Sequence, residues 1–147
     1  MSTFSTIYGR LLLIAILTTG QMVSLSGLVA AAPLQENIAR YAAEEKAGNK
    51  GFIAFSAERG RTLFLSRPAT GKPDTPSCTS CHTDTPLAVG LTRAGKEIAP
   101  MALSMTPDRY GDDKKLEKWF RRNCKSVLGR VCTPLEKGDF LTFMSTQ

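Results

Sequence analysis

Residues 78–82 read Cys-Thr-Ser-Cys-His. Two thiols separated by two residues, with an imidazole directly after the second, suit covalent capture of one haem. Each thiol adds to a vinyl group and the histidine meets the iron. A chain that does this has to fold around a flat apolar disc, and one motif, Cys78 and Cys81 with His82, means one covalently bound haem c. Other uses of a Cys-x-x-Cys pair fit less well. Zinc needs two further ligands at short spacing, and His82 is the sole histidine of the chain. Thioredoxin-like exchange needs βαβ patterning, whereas Thr75, Pro76 and Ser77 before the motif read as an irregular loop.

The N-terminus bears on where such a haem is attached. Arg10 is the only charge before an uncharged run from Leu11 to Ala32, which closes in Val29-Ala30-Ala31-Ala32-Pro33. This is the layout of a secretory signal, residues 1–31, with cleavage expected after Ala31. A retained membrane anchor is the alternative, because the run is long enough to cross a bilayer, although Gly20, Gln21 and several Ser and Thr dilute it. Either way the folded part is expected in the periplasm, in an oxidising environment. Residues 32–147 then form one domain of 116 residues, whose net charge falls only from +6 to +5 because the signal contains Arg10 and no acid. That excess is too small and too scattered to indicate nucleic acid. It fits docking to an acidic redox partner, and equally a merely soluble surface.

Every clear element is helical. A helix is expected from about Leu34 to Ala47, broken by Gly48-Asn49-Lys50-Gly51. Ser56 caps a second, running to about Ser66 with Gly60 and Phe64 one turn apart. The stretch from Asp84 to Met105 is punctuated by Pro and Gly and is expected to be a loop along the haem edge. Asp112 or Asp113 starts a third helix reaching about Lys125. Thr133-Pro134-Leu135-Glu136 has the cap, the proline and the reciprocal acid that open a last helix. A helix with Gly60 and Phe64 before the haem motif, and a closing one with Gly138, Phe140 and Phe143, resembles a class I cytochrome c. The expected fold class is therefore all-α, with the first and last helices crossing near a small residue.

The sixth iron ligand decides between functions. A thioether stabilises ferrous iron and makes a closed electron carrier, whereas a weak ligand opens the iron to small molecules. Met101 and Met105 lie in the haem-edge loop, only 19 and 23 residues beyond His82, and methionine in such a loop also serves as filler. The third helix offers another candidate. Leu116, Trp119, Phe120, Asn123 and Val127 follow one face, opposite Lys114, Lys118, Arg121 and Lys125. Asn123 is the one polar side chain on that face. It is either an iron ligand, a helix-end cap or a partner of buried backbone. Cys124 and Cys132 remain as an even pair in an oxidising compartment. A bridge between them closes a short loop, contributes roughly 2–3 kcal/mol, and starts immediately after Asn123.

Trp119-Phe120-Arg121-Arg122-Asn123-Cys124, then Cys132-Thr133-Pro134 and Glu136-Lys137-Gly138-Asp139-Phe140-Leu141, resemble the sphaeroides haem protein family over roughly residues 50 to 145. Its members are bacterial monohaem class I cytochromes related to methylotroph cytochrome c″. The resemblance implies that the residue just before the first bridge cysteine, here Asn123, is the distal ligand, where the methylotroph type has a histidine. It further implies that this ligand leaves when the iron is reduced, that ferrous iron then binds dioxygen or nitric oxide, and that a dihaem c-type cytochrome supplies electrons. The chemistry agrees, since a neutral amide oxygen suits ferric iron and holds the softer ferrous ion poorly. A released Asn123 could also turn its NH₂ toward bound dioxygen. The expected role is thus an exported acceptor of electrons that binds small diatomic ligands, with turnover of those ligands left open. A Met101- or Met105-ligated carrier and a haem-based gas or redox sensor are the competing roles.

Overall fold

A computed structural model describes residues 26–147, with side chains from Pro33 onward. The expected signal therefore lies outside the described residues, apart from the backbone of 26–31. That backbone is helical and continues into α1 (Ser26–Gly48), so helix extends upstream of the expected start at Leu34. Among the described residues no helix is long and apolar enough to cross a membrane.

The remaining elements are α2 (Ala57–Leu65), the single turn α3 (Thr79–His82), the paired β1 (Gly90–Leu91) and β2 (Glu97–Ile98), α4 (Asp113–Leu128) and α5 (Pro134–Ser145). The caps behave as the sequence predicts. Ser56 accepts from the Arg59 amide, Asp112 from the Lys115 amide, and Thr133 forms a full capping box with Glu136. Two further features differ from expectation. Helix α4 runs on to Leu128, because Gly129 in the left-handed region supplies its stop (φ 71°), one turn beyond Lys125. The stretch from Asp84 to Met105 contains a small antiparallel hairpin, Gly90 opposite Ile98 and Leu91 opposite Glu97, turned at Gly95 (φ 75°). Two-residue strands are too short to leave an alternation in the sequence.

Helix α5 is the spine, with α1 and α2 both packed on it. At its crossing with α2, a Cβ on Gly60 would overlap the Asp139 carbonyl and stand 2.8 Å from the Phe143 Cβ. The backbones meet only because that position is glycine. Phe64, fully buried, reaches Phe140 and Phe143 at centroid distances of 6.4 and 5.9 Å. Phe120 of α4 meets Phe140 edge-on at 5.6 Å and Tyr41 of α1 at 6.1 Å, so one aromatic chain links four helices. The same crossing carries a polar lock. The Asp139 carboxylate, 3 % exposed, accepts from the Ser56 amide (2.6 Å) and from Arg59 Nε (2.7 Å) and Nη2 (2.8 Å). A buried carboxylate held this way is satisfied, and removing either partner would strand it.

A second polar knot joins α1, α4 and α5. Glu117 accepts from the Tyr41 hydroxyl (2.5 Å), Arg40 (3.1 Å) and Lys137 (2.8 Å). Burial alone would raise its carboxyl, but the hydrogen bonds from Lys137, Tyr41 and Arg40 outweigh that and hold it below its ordinary range.

Two expectations follow. Gly60→Ala should destabilise by about 1–3 kcal/mol through overpacking, whereas Gly48→Ala, with nothing within 4 Å of its Cβ, should be neutral or stabilising. Urea unfolding of both variants checks this. Because the Glu117 pKa is lowered on folding, its stabilisation is present above the unfolded value of about 4.3 and is lost as pH falls through the folded one. Glu117 is partly exposed, so the gain is at most about 1 kcal/mol. Glu117→Gln should be less stable near neutrality and lose less stability on acidification, measured by unfolding from pH 7 down to pH about 3.

Candidate haem site

The cysteines and histidine of the motif are gathered by one helical turn. Cys81 and His82 amides both donate to the Cys78 carbonyl (3.2 and 3.1 Å), so positions 78, 81 and 82 share one side of α3. The turn is pinned from below by buried Ser77, whose hydroxyl meets Thr79 Oγ1 (2.7 Å) and Ser80 Oγ (3.2 Å). It ends abruptly at Thr83, where φ is 61° and ψ 178°, a conformation rare for a β-branched residue. Thr83 Oγ1 donates to the Thr85 carbonyl (2.9 Å) and so stabilises the exit. Behind the turn lies Gly90 of β1, where a Cβ would overlap the Cys81 carbonyl and stand 3.0 Å from the His82 Cα. The hairpin thus serves as a backstop for the histidine's backbone.

Cys78 and Cys81 are not disulfide-bonded. Burial, and then the neighbouring Cys81, push the Cys78 thiol up to about 11, so it stays protonated and unpaired at neutral pH. His82 is pulled down to about 4 by burial, then by the Arg109 charge. Its ring is therefore neutral and retains the lone pair a metal needs. Among the described residues His82 Nδ1 is the one buried side-chain polar atom with no hydrogen-bond partner. The described residues contain no cluster of three or more His, Cys, Asp and Glu side chains that would make a different metal site. Two uncommitted thiols, a neutral imidazole with an unsatisfied nitrogen and a one-turn scaffold fit covalent haem.

On the other side, the predicted stripe of α4 is corrected in one respect. The buried residues are Leu116, Phe120, Cys124 and Val127, while Trp119 is 43 % exposed and Asn123 is exposed. At about 100° per residue, Asn123 and Trp119 fall on the flank of the buried stripe, not at its centre. Asn123 is well inside the helix, so it does not cap, and its amide forms no hydrogen bond among the described residues. It lines a cleft of about 420 Å³ with Lys72, Trp119, Arg122, Lys125 and Ser126. Cys124 and Cys132 are joined as a disulfide with Cα atoms 5.5 Å apart, tying the residue after Asn123 to the residue before the α5 cap.

The methionines separate. Met101 is buried in the core, its amide donating to the Pro86 carbonyl (2.8 Å) and its carbonyl accepting from the Tyr110 hydroxyl (2.6 Å). Met105 is 56 % exposed. Sequence reasoning missed the segment that joins the two sides. The Lys72 amide donates to the Ser126 carbonyl (2.7 Å) and Thr75 Oγ1 meets Ser126 Oγ (2.6 Å), laying the approach to Cys78 on the last turn of α4. Gly71, where a Cβ would overlap the Ser126 and Val127 carbonyls, was the available signal. Gly90, also missed, marks its close approach in the same way.

Fold and relatives agree. Residues 50–144 match a family described as a domain of unknown function, DUF1924. The chain is 59 % identical over 91 residues to the cytochrome c-type protein SHP of Cereibacter sphaeroides, covering 62 % of this chain and 70 % of that protein. It is 30 % identical over 129 residues to cytochrome c″ of Methylophilus methylotrophus, covering 87 % and 90 %. The structure of oxidised SHP, described as an oxygen-binding cytochrome c, superposes with a TM-score of 0.71 at 53 % identity, covering 78 % of this chain and 96 % of that one. Oxidised cytochrome c″ gives 0.68 at 29 % identity, covering 80 % and 96 %. The helical architecture and these relatives define an all-α cytochrome c that carries covalently bound haem c. Within that class, the chain belongs to the sphaeroides haem protein family, which the DUF1924 match also delimits.

The backstop role of Gly90 is testable. Gly90→Val should displace the Cys81–His82 turn and lower the yield of covalently loaded protein, whereas Gly95→Asn, at an open left-handed position, should not. Absorbance of the haem against total polypeptide measures both.

Proposed function

We propose that this protein is an exported acceptor of electrons that binds a small diatomic ligand, dioxygen or nitric oxide, in its reduced state. In this reading Cys78 and Cys81 form the thioethers, His82 is the proximal ligand and Asn123 the distal one in the ferric state. The haem supplies the redox iron and the coordination position at which the small ligand is taken up. The chain's own residues set which occupant that position keeps. Cys78 and Cys81 anchor the ring, and the turn braced by Ser77, Thr83 and Gly90 fixes the His82 side. Asn123 offers a neutral amide oxygen, adequate for ferric iron and poor for ferrous. The Cys124–Cys132 bridge would restrain the backbone next to Asn123, and the Asn123 NH₂ would be the hydrogen-bond donor that this chain offers on that side.

The observation that supports this reading is the position of Asn123, inside α4 on the wall of the cleft and directly before the bridged Cys124. The description of SHP as an oxygen-binding cytochrome c supports it from outside. A periplasmic dihaem cytochrome is the donor that fits the reading, in keeping with a signal at residues 1–31.

Ferrous protein should be five-coordinate and high-spin, and should bind carbon monoxide and nitric oxide rapidly. Asn123→Ala should change the ferric spectrum, Asn123→His should make it low-spin, and Met101→Leu and Met105→Leu should leave it unchanged. Optical and EPR spectra of the four variants test this. A thioether-to-iron charge-transfer band abolished by one methionine substitution would instead make the protein a closed electron carrier.

A further inference from the structure

We infer that a second cleft, between α4 and α5, is a thiol–disulfide exchange site at which an anionic thiol opens the Cys124–Cys132 bridge. This cleft has a volume of about 290 Å³ and is lined by Glu117, Arg121, Val131, Cys132 and Lys137. None of these residues is assigned to the haem, and the site goes beyond the function proposed above. Cys132 is the half of the bridge that reaches the cleft, whereas Cys124 lies on the buried stripe of α4 and does not line it. The rim is open, with Val131 56 % exposed. A thiol arriving through the cleft therefore meets the Cys132 sulfur first.

The charge around that sulfur suits a thiolate. Glu117, the one acid of the lining, is already engaged by Arg40, Tyr41 and Lys137. Arg121 is exposed and, among the described residues, makes no ion pair, so the lining sets two cations against one acid. Cys132 also stands immediately before Thr133, the cap of α5, where the amides of a helix start stabilise negative charge on sulfur. The acid of that first turn, Glu136, is paired with Arg130.

The exchange runs in two steps. The incoming thiolate attacks the Cys132 sulfur, a mixed disulfide forms there, and the bond to Cys124 breaks, so that Cys124 leaves as a thiolate and takes up a proton. A second thiolate attacks the foreign sulfur of the mixed disulfide and expels Cys132, which is protonated in turn. Two thiols are thereby oxidised to one disulfide, and the protein gains two electrons and two protons. Opening removes the covalent tie between α4 and the start of α5 but leaves the hydrogen bonds to Ser126 in place, so the fold survives it.

The holoprotein at low ionic strength provides the test, with maleimide quenching and mass analysis to count opened bridges. Cys78 and Cys81 are thioethers in that form, so only the bridge can yield thiols. The opening rate should rise in proportion to mercaptoethanesulfonate concentration, and the first adduct should map to Cys132. Arg121→Glu should slow this doubly negative thiolate about tenfold, and Arg121→Lys should keep it within about twofold of the parent. Cysteamine, whose thiolate has no net charge, should change by less than about threefold in either variant. Lys96→Glu, the same charge change placed in the hairpin turn, should match the parent with both thiols. Circular dichroism of the opened protein should match that of the bridged one. An opening rate independent of thiol concentration would mean that the sulfur is reached only through unfolding, and would overturn the proposal. So would a first adduct on Cys124, or equal slowing of both thiols in Arg121→Glu. Because the readout counts thiols, it holds whether or not Asn123 ligates the iron, which the spectra decide separately.

Discussion

Two short hydrogen bonds to Ser126 set the geometry on which the rest of this molecule depends. The segment leading into Cys78 is laid against the last turn of α4, its Lys72 amide taking up one of the carbonyls a helix end leaves free. The Cys78–His82 turn and Asn123 belong to separate parts of the chain. Without that seam, nothing local would fix the distance between them. Glycines at 71 and 129 permit the seam, since side chains there would strike the Ser126, Val127 and Thr70 carbonyls. The Cys124–Cys132 bridge then fastens the same helix end to the start of α5.

Helix α5 carries that seam into the core. Its capping box fixes where it begins, and Asp139 gives it a polar register against α2 that apolar packing alone would leave loose. Apolar contacts tolerate sliding by an ångström, whereas a carboxylate that must meet one amide and one guanidinium does not. The glycine at 60 and the acid at 139 thus act together, one allowing close approach and the other choosing the register.

Much of this was legible in the sequence because it is written locally. Caps need only three or four adjacent residues, and Ser56, Asp112 and Thr133 all behave as such. The haem motif is likewise a five-residue statement. What was not legible is long-range. Asp139, an acid between Gly138 and Phe140 in an apolar helix, advertises a buried partner but cannot name Arg59 or the Ser56 amide, some eighty positions away. The flank position of Asn123 was also hidden. A stripe about 100° wide does not distinguish its centre from its edge in five residues, and Cys124, which reads as a bridge cysteine, does not announce itself as part of the buried face. The hairpin at 90–98 escaped because two-residue strands leave no periodicity.

Thr83 gives the two sides of the site different mechanical characters. Its backbone occupies a region that glycine enters freely and threonine only under constraint, at a cost of about 1–3 kcal/mol. A residue kept there shows that the surroundings, the Thr85 contact and the seat against Gly90, are stiff enough to override its preference. The histidine side therefore has low compliance. Asn123, by contrast, is restrained through its backbone alone, with a side chain tied to nothing among the described residues. In the proposed coordination, a change of ligand would deform the softer wall, and the displacement would be expressed along α4, not at the Cys78–His82 turn.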